Sequence, residues 1–125
     1  MERYLMTFRP DRRLNNIIKN IADKKGRTCT DIRLELIYYS LDSINDIDNY
    51  NNVLTNKKYI LSIINLFSKK YKENPTTMRI PMHTYKTILD LTKLLTCNVS
   101  DITNLLCLLP LKTLYPEYNL DNIYK

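Results

Sequence analysis

The sequence predicts a mainly α fold with a short two-stranded antiparallel β-ribbon, made of two strand–helix–helix units in one chain joined by a helix. Three observations carry this. Residues 3–9 alternate with the period of a strand. Apolar residues then recur at helical spacing through most of the remaining chain. The opening pattern returns without a gap 70 residues later.

In RYLMTFR (3–9), Tyr4, Met6 and Phe8 point one way and Arg3, Leu5, Thr7 and Arg9 the other, which predicts a short strand. Pro10 cannot continue a ladder but suits a helix start, and Asp11 suits the positive end of the helix dipole. Leu14, Ile17, Ile18 and Ile21 then fall on one helix face. Lys24 and Lys25 suit the last turn, and Gly26 suits the left-handed cap. Thr30 is the expected N-cap of a second helix, with Asp31 in its first turn and Ile32, Leu36 and Tyr39 as its stripe.

Residues 42–51 (DSINDIDNYN) read as a polar break. A longer helix is expected from about Asn52 to Lys72, with Ile60, Ile63, Ile64, Phe67 and Tyr71 on one stripe opposite Lys58, Ser62, Asn65 and Lys69. Asn74-Pro75 is the expected stop. A shift of 70 then sets Thr7 on Thr77, Arg9 on Arg79, Ile18 on Ile88, Thr30 on Ser100, Asp31 on Asp101, Leu36 on Leu106 and Leu41 on Leu111. The second copy departs at Thr96, which replaces Gly26, with Asn98 as a left-handed substitute, and at Pro81, one place later than Pro10 maps. The run Leu105 to Leu109 exceeds one helix face and marks either the centre of the fold or a surface for self-association.

Composition narrows the function. With 125 residues and 44% hydrophobic content the chain can bury a core. One glycine excludes Gly-rich phosphate loops, and no paired acid–base set or nucleophile motif points to an enzyme. Three cysteines without a CxxC pair indicate neither a disulfide framework nor a metal site, and no cofactor is expected. Free thiols and the lack of an apolar N-terminal stretch fit the cytoplasm, and no run is long enough to span a membrane. Cys29 aligns with Val99 and reads as an apolar plug. Cys97 and Cys107 read as structural, and His83 as a surface side chain. The net charge of +6 favours an anionic partner, and +4 of it lies in residues 1–41.

The order of strand, helix, Gly-Arg-Thr turn and helix resembles the ribbon–helix–helix family of DNA-binding proteins. MTFRP, IADKKG and GRTCTDI carry the resemblance in the first copy, TMRIP and CNVSDI in the second. A chain with two copies is similar to the fused members of that family, among them accessory proteins of conjugative plasmid transfer; other members are repressors. The expected organisation is one ribbon–helix–helix unit at 1–41, a connector with an amphipathic helix at 42–74, a second unit at 75–111 and a Tyr-rich tail at 112–125. Neither copy alone buries its apolar faces, whereas two can pair their strands and share a core.

The resemblance implies sequence-specific binding of double-stranded DNA by the ribbon in the major groove, in repression or at a transfer origin (relaxosome). If Met6, Phe8, Met78 and Ile80 face the core, alternation turns Thr7, Arg9, Thr77 and Arg79 outward as base contacts, with Leu5 on the same face. Thr30 and Ser100, at the starts of the second helices, are expected to meet phosphates, flanked by Arg12, Arg13, Lys24, Lys25 and Arg27. Ordinary solvated side chains are the plain alternative for each. Expected partners are double-stranded DNA, further copies of the chain on DNA, and a relaxase or another DNA-processing protein. The rival reading is a helical protein–protein interaction module whose basic charge is incidental.

Overall fold

The computed structural model describes residues 2–45 and 57–124, the side chains of Ile44 and Asn45 excepted. It is mainly helical with one two-stranded antiparallel sheet. Strand β1 (Arg3–Phe8) leads through Pro10 and Asp11 into α1 (Arg12–Lys25) and then α2 (Cys29–Asn45). Helix α3 (Lys57–Ile64) and a 3-10 turn (Lys69–Tyr71) precede β2 (Thr76–Pro81), which runs directly into α4 (Met82–Leu95) and then α5 (Val99–Leu108). Two short helices, α6 (Leu111–Leu114) and α7 (Asp121–Tyr124), end the chain.

The register of the ribbon follows from the repeat. Thr7 pairs with Thr77, Leu5 with Arg79 and Phe8 with Thr76. Residues 70 apart therefore face each other at the middle of the ribbon, so the strands are related by a local two-fold passing between Thr7 and Thr77. The rest of the chain keeps that relation. Helix α4 spans the residues that α1 spans shifted by 70, and α5 starts 70 residues after α2.

The turns repeat as well. Gly26 (φ 63°) and Thr96 (φ 54°) both take the left-handed conformation that ends the first helix of each copy. Next to them the Arg27 N–H donates to the Ala22 carbonyl (3.0 Å) and the Cys97 N–H to the Thr92 carbonyl (3.1 Å). Thr96 itself takes the left-handed position, not Asn98. Asn98 instead caps α5, accepting from the Asp101 N–H at 2.8 Å. Its mate Thr28 does the same for α2, accepting from the Asp31 N–H at 3.1 Å, while the Thr28 N–H donates back to the Asp31 carboxylate at 3.5 Å. The cap is thus Thr28, not Thr30, because an N-cap side chain reaches the N–H three residues on and Asp31 completes the reciprocal pair. At the head of α1 Asp11 is the cap, with its side chain accepting from the Arg13 and Leu14 N–H groups.

One hydrophobic core runs through both copies. Met6, Phe8, Met78 and Ile80 enter it from the ribbon, and Ile18, Ile21, Ile32, Leu36, Ile88, Leu91, Ile102 and Leu106 from the helices. Helices α2 and α5 pack on each other at the centre, where the buried Ser40 hydroxyl donates to the Leu106 carbonyl at 2.7 Å. Leu105 to Leu108 are buried there and only Leu109 is exposed, so that run is the centre of the fold. Tyr4 does not join Met6 and Phe8 inside. It lies at the edge, stacked on Tyr85 with ring centroids 4.0 Å apart.

Two expected boundaries move. Helix α2 continues to Asn45, so residues 42–45 are helical, and the rest of the expected break lies outside the described residues. The connector helix ends at Ile64 instead of running to Lys72, and its expected start at Asn52 is outside the described residues. Its apolar stripe holds: Ile60, Ile63, Ile64 and Phe67 are buried, while Tyr71 is half-buried. The chain turns after Ile64 so that Phe67 and then Tyr71 reach the core side. Beyond the 3-10 turn, the Glu73 N–H donates to the Pro10 carbonyl at 2.9 Å. That backbone bond fixes the chain to the first copy, a long-range contact with no local sequence signal. Among the described residues no single helix is long and apolar enough to cross a membrane.

Candidate nucleic-acid interface

The exposed face of the ribbon is built by strand alternation. With Met6, Phe8, Met78 and Ile80 inside, Leu5, Thr7, Thr77 and Arg79 lie outside as two cross-strand pairs, Leu5 opposite Arg79 and Thr7 opposite Thr77. Arg3 continues this face at one end and Arg9 at the other, and both are exposed. Leu5 is half exposed, an uncommon place for a leucine in a chain that has a core to fill. Arg79 is exposed and forms no ion pair among the described residues. Arg9 is less free, because its Nε donates to the Glu73 carbonyl at 2.9 Å.

The start of α5 abuts the end of β1. The Arg9 N–H donates to Ser100 Oγ at 2.9 Å, so ribbon and helix N-terminus share one edge. Asn104, one turn further along α5, fastens the same strand end: its Oδ1 accepts from the Asp11 N–H (3.1 Å) and its Nδ2 donates to the Arg9 carbonyl (3.2 Å). Asp101 lies nearby, and Lys72 pairs with it at 2.8 Å. That pairing removes much of the repulsion an acidic first turn would offer an approaching phosphate. Thr30 is half-buried in the first turn of α2, at the position matching Ser100.

The flanking cations divide. Arg12, Lys24 and Lys25 are exposed, with the Lys24 ammonium 5.3 Å from the Tyr118 ring and that of Lys25 5.7 Å from the Tyr115 ring. Arg27 pairs with Glu35 at 2.8 Å in a half-exposed pair. Arg13 turns inward. Its guanidinium bonds both oxygens of the wholly buried Asp11 carboxylate (2.8 and 3.2 Å), the Leu66 carbonyl (2.7 Å) and the Asn122 carbonyl (3.1 Å), and lies 3.7 Å over the Tyr71 ring. Arg13 is therefore an internal clamp and is not presented for phosphate contact. The sequence placed it by charge alone, and its partners come from the connector and the tail.

Other polar residues that pattern reading passed over also join copies and tail. The buried Arg33 guanidinium donates to Asn15 Oδ1 and lies 5.5 Å from the Phe8 ring. Tyr115 donates its hydroxyl to Glu35. Burial alone would raise the Glu35 carboxyl, but the hydrogen bonds from Tyr115 and Arg27 outweigh it and lower it overall. Burial and the bond to Glu35 push the Tyr115 hydroxyl up to about 12. Burial pushes the thiols of Cys97 and Cys107 up to about 11 and about 12, as expected of packing side chains that stay protonated. Cys29 and Val99 both sit against the core. His83 is exposed.

The described geometry thus offers a short two-stranded platform bearing threonines, arginines and a leucine on its free face, with a helix N-terminus against one edge. No family model, curated protein sequence or solved structure matches the chain.

Proposed function

We propose that the chain binds double-stranded DNA at specific sites as two ribbon–helix–helix units fused in tandem, laying the free face of its ribbon in the major groove. The observation that carries this reading is the register: Thr7 opposite Thr77, at the centre of a ribbon whose two strands belong to copies 70 residues apart. A two-stranded ribbon of this width fits the major groove. Arg79 suits bidentate pairing with guanine O6 and N7, Thr7 and Thr77 suit base edges, and Leu5 suits a thymine methyl. Arg9, held partly by Glu73, serves at the edge. Thr30, Ser100, Arg12, Lys24 and Lys25 are left for the backbone. Transcriptional repression and organisation of a plasmid transfer origin, with or without a relaxase beside it, draw on this same biochemistry.

The rival, a helical interaction module, draws on the inward turn of Arg13 and the Arg27–Glu35 pair, which leave less free charge than the formal +6 suggests. Selection of duplexes from a random pool separates the two. The DNA reading expects a short, roughly two-fold symmetric site to be enriched, because the ribbon's two strands are related by a local two-fold. A pool that returns no preferred sequence would refute it.

A further inference from the structure

The two copies differ at the head of their first helices. A shift of 70 sets Asp11 on Pro81, Arg13 on His83 and Leu14 on Thr84. In the first copy the Asp11 carboxylate fills the helix N-terminus, accepting from the Arg13 and Leu14 N–H groups (2.9 and 3.2 Å) and from the Arg13 guanidinium. In the second copy Pro81 offers no side-chain acceptor, and the first turn of α4 holds no acidic residue. The Met82 N–H donates to the Glu2 carbonyl at 3.2 Å, but those of His83 and Thr84 have no capping side chain.

These groups border an open cleft of about 460 Å³ between the start of β1, the start of α4 and the C-terminal half of α2. Arg3, His83 and Thr84 line one wall and Tyr38 and Asp42 the other. Thr84 is the second observation. It is only 3% exposed, at a position that holds leucine in the first copy, and its hydroxyl joins none of the hydrogen bonds among the described residues. Every side-chain oxygen fully closed off from solvent there has a partner, so the Thr84 hydroxyl opens onto the cleft. A buried hydroxyl, two free helix N–H groups and an arginine converge where the first copy holds a carboxylate.

We propose that this cleft binds the carboxylate of a small molecule, held by the His83 and Thr84 N–H groups, the Thr84 hydroxyl and Arg3. The ligand stands where Asp11 stands in the first copy. Asp42 across the cleft opposes a second negative charge, so a single carboxylate fits better than a phosphate dianion. The proposal is independent of the DNA reading. The test is a titration of the isotope-labelled full chain with acetate at constant ionic strength, followed by amide NMR, with chloride as control and inorganic phosphate as competitor. Saturable shifts at His83 and Thr84 are expected with acetate and not with chloride, and phosphate should compete poorly. Thr84→Val should weaken acetate about tenfold, the effect of losing a hydrogen bond to a charged group. Pro81→Asp, which supplies the first copy's own cap, should abolish the response and raise the melting temperature. Shifts that rise linearly, that chloride reproduces, or that persist unchanged in both variants would overturn the proposal.

Discussion

Arg13→Ala should be among the most damaging substitutions of a basic residue in this chain, and through folding, not DNA. The Arg13 side chain is 13% exposed and the Asp11 side chain beneath it 0% exposed, so the ion pair is a buried one. Removing the arginine leaves the Asp11 carboxylate with two backbone N–H groups and no counter-charge. It also releases the Leu66 and Asn122 carbonyls and the face of Tyr71. Breaking a buried pair from one side costs about 3–5 kcal/mol. That is a large share of the roughly 5–15 kcal/mol by which a domain is stable. Arg13→Lys should recover little, since an ammonium cannot span a carboxylate and two carbonyls at once. The assay is urea unfolding of both variants, with Asp11→Ala and the double variant completing a cycle. A loss within about 0.5 kcal/mol, the size expected of a surface substitution, would refute the clamp and return Arg13 to the solvated face.

Other predictions follow from the same packing. Phe67, 4% exposed beyond the end of α3, should cost roughly 3–5 kcal/mol as Phe67→Ala in the same unfolding assay; a negligible loss would make the connector only a tether. Thr96→Gly should stabilise by about 1 kcal/mol, because a β-branched residue holds a left-handed conformation there that Gly26 holds freely; denaturant midpoints read it. The Glu35 carboxyl is lowered in the folded chain, so its contribution is present above the ordinary 4.5 and is lost as pH falls below it. The Tyr115 hydroxyl is raised, so its contribution is whole below 10 and is lost as pH rises towards about 12. Tail docking, followed by proteolysis across pH, should therefore hold between those limits, and Tyr115→Phe should remove the alkaline loss.

Much of the architecture was legible because it rests on local rules applied twice. Strand alternation placed Met6, Phe8, Met78 and Ile80 inside and Thr7 and Thr77 outside. The gapless repeat gave the pairing of the two strands, because copies that share a core must meet at equivalent residues. Caps were legible to within two residues: Thr28 and Asn98, not Thr30 and Ser100, hold the helix starts, and the difference lies in which side chain the fold turns toward the N–H groups. Long-range polar contacts were not legible. Arg13 reads as surface charge in any local window, and only the return of Leu66 and Asn122 to the same spot makes it internal. Asn104 looks misplaced in an apolar stretch until the end of β1 comes to rest on it. The end of α3 at Ile64 is another such case, since periodicity continues to Tyr71 while the chain itself turns.

The central claim, that the ribbon reads DNA sequence, is tested most directly by comparing Arg79→Ala with Lys24→Ala. Each is titrated against the selected duplex and a scrambled one at several salt concentrations. Arg79 is exposed, so its loss should leave the fold intact. It should cost about 1–3 kcal/mol on the selected duplex, roughly 5- to 150-fold in Kd, and little on the scrambled one. Lys24→Ala should weaken both duplexes alike and lower the salt slope by roughly one unit. Equal losses on both duplexes for Arg79→Ala, or no salt-dependent binding of duplex DNA by the unaltered chain, would contradict the account.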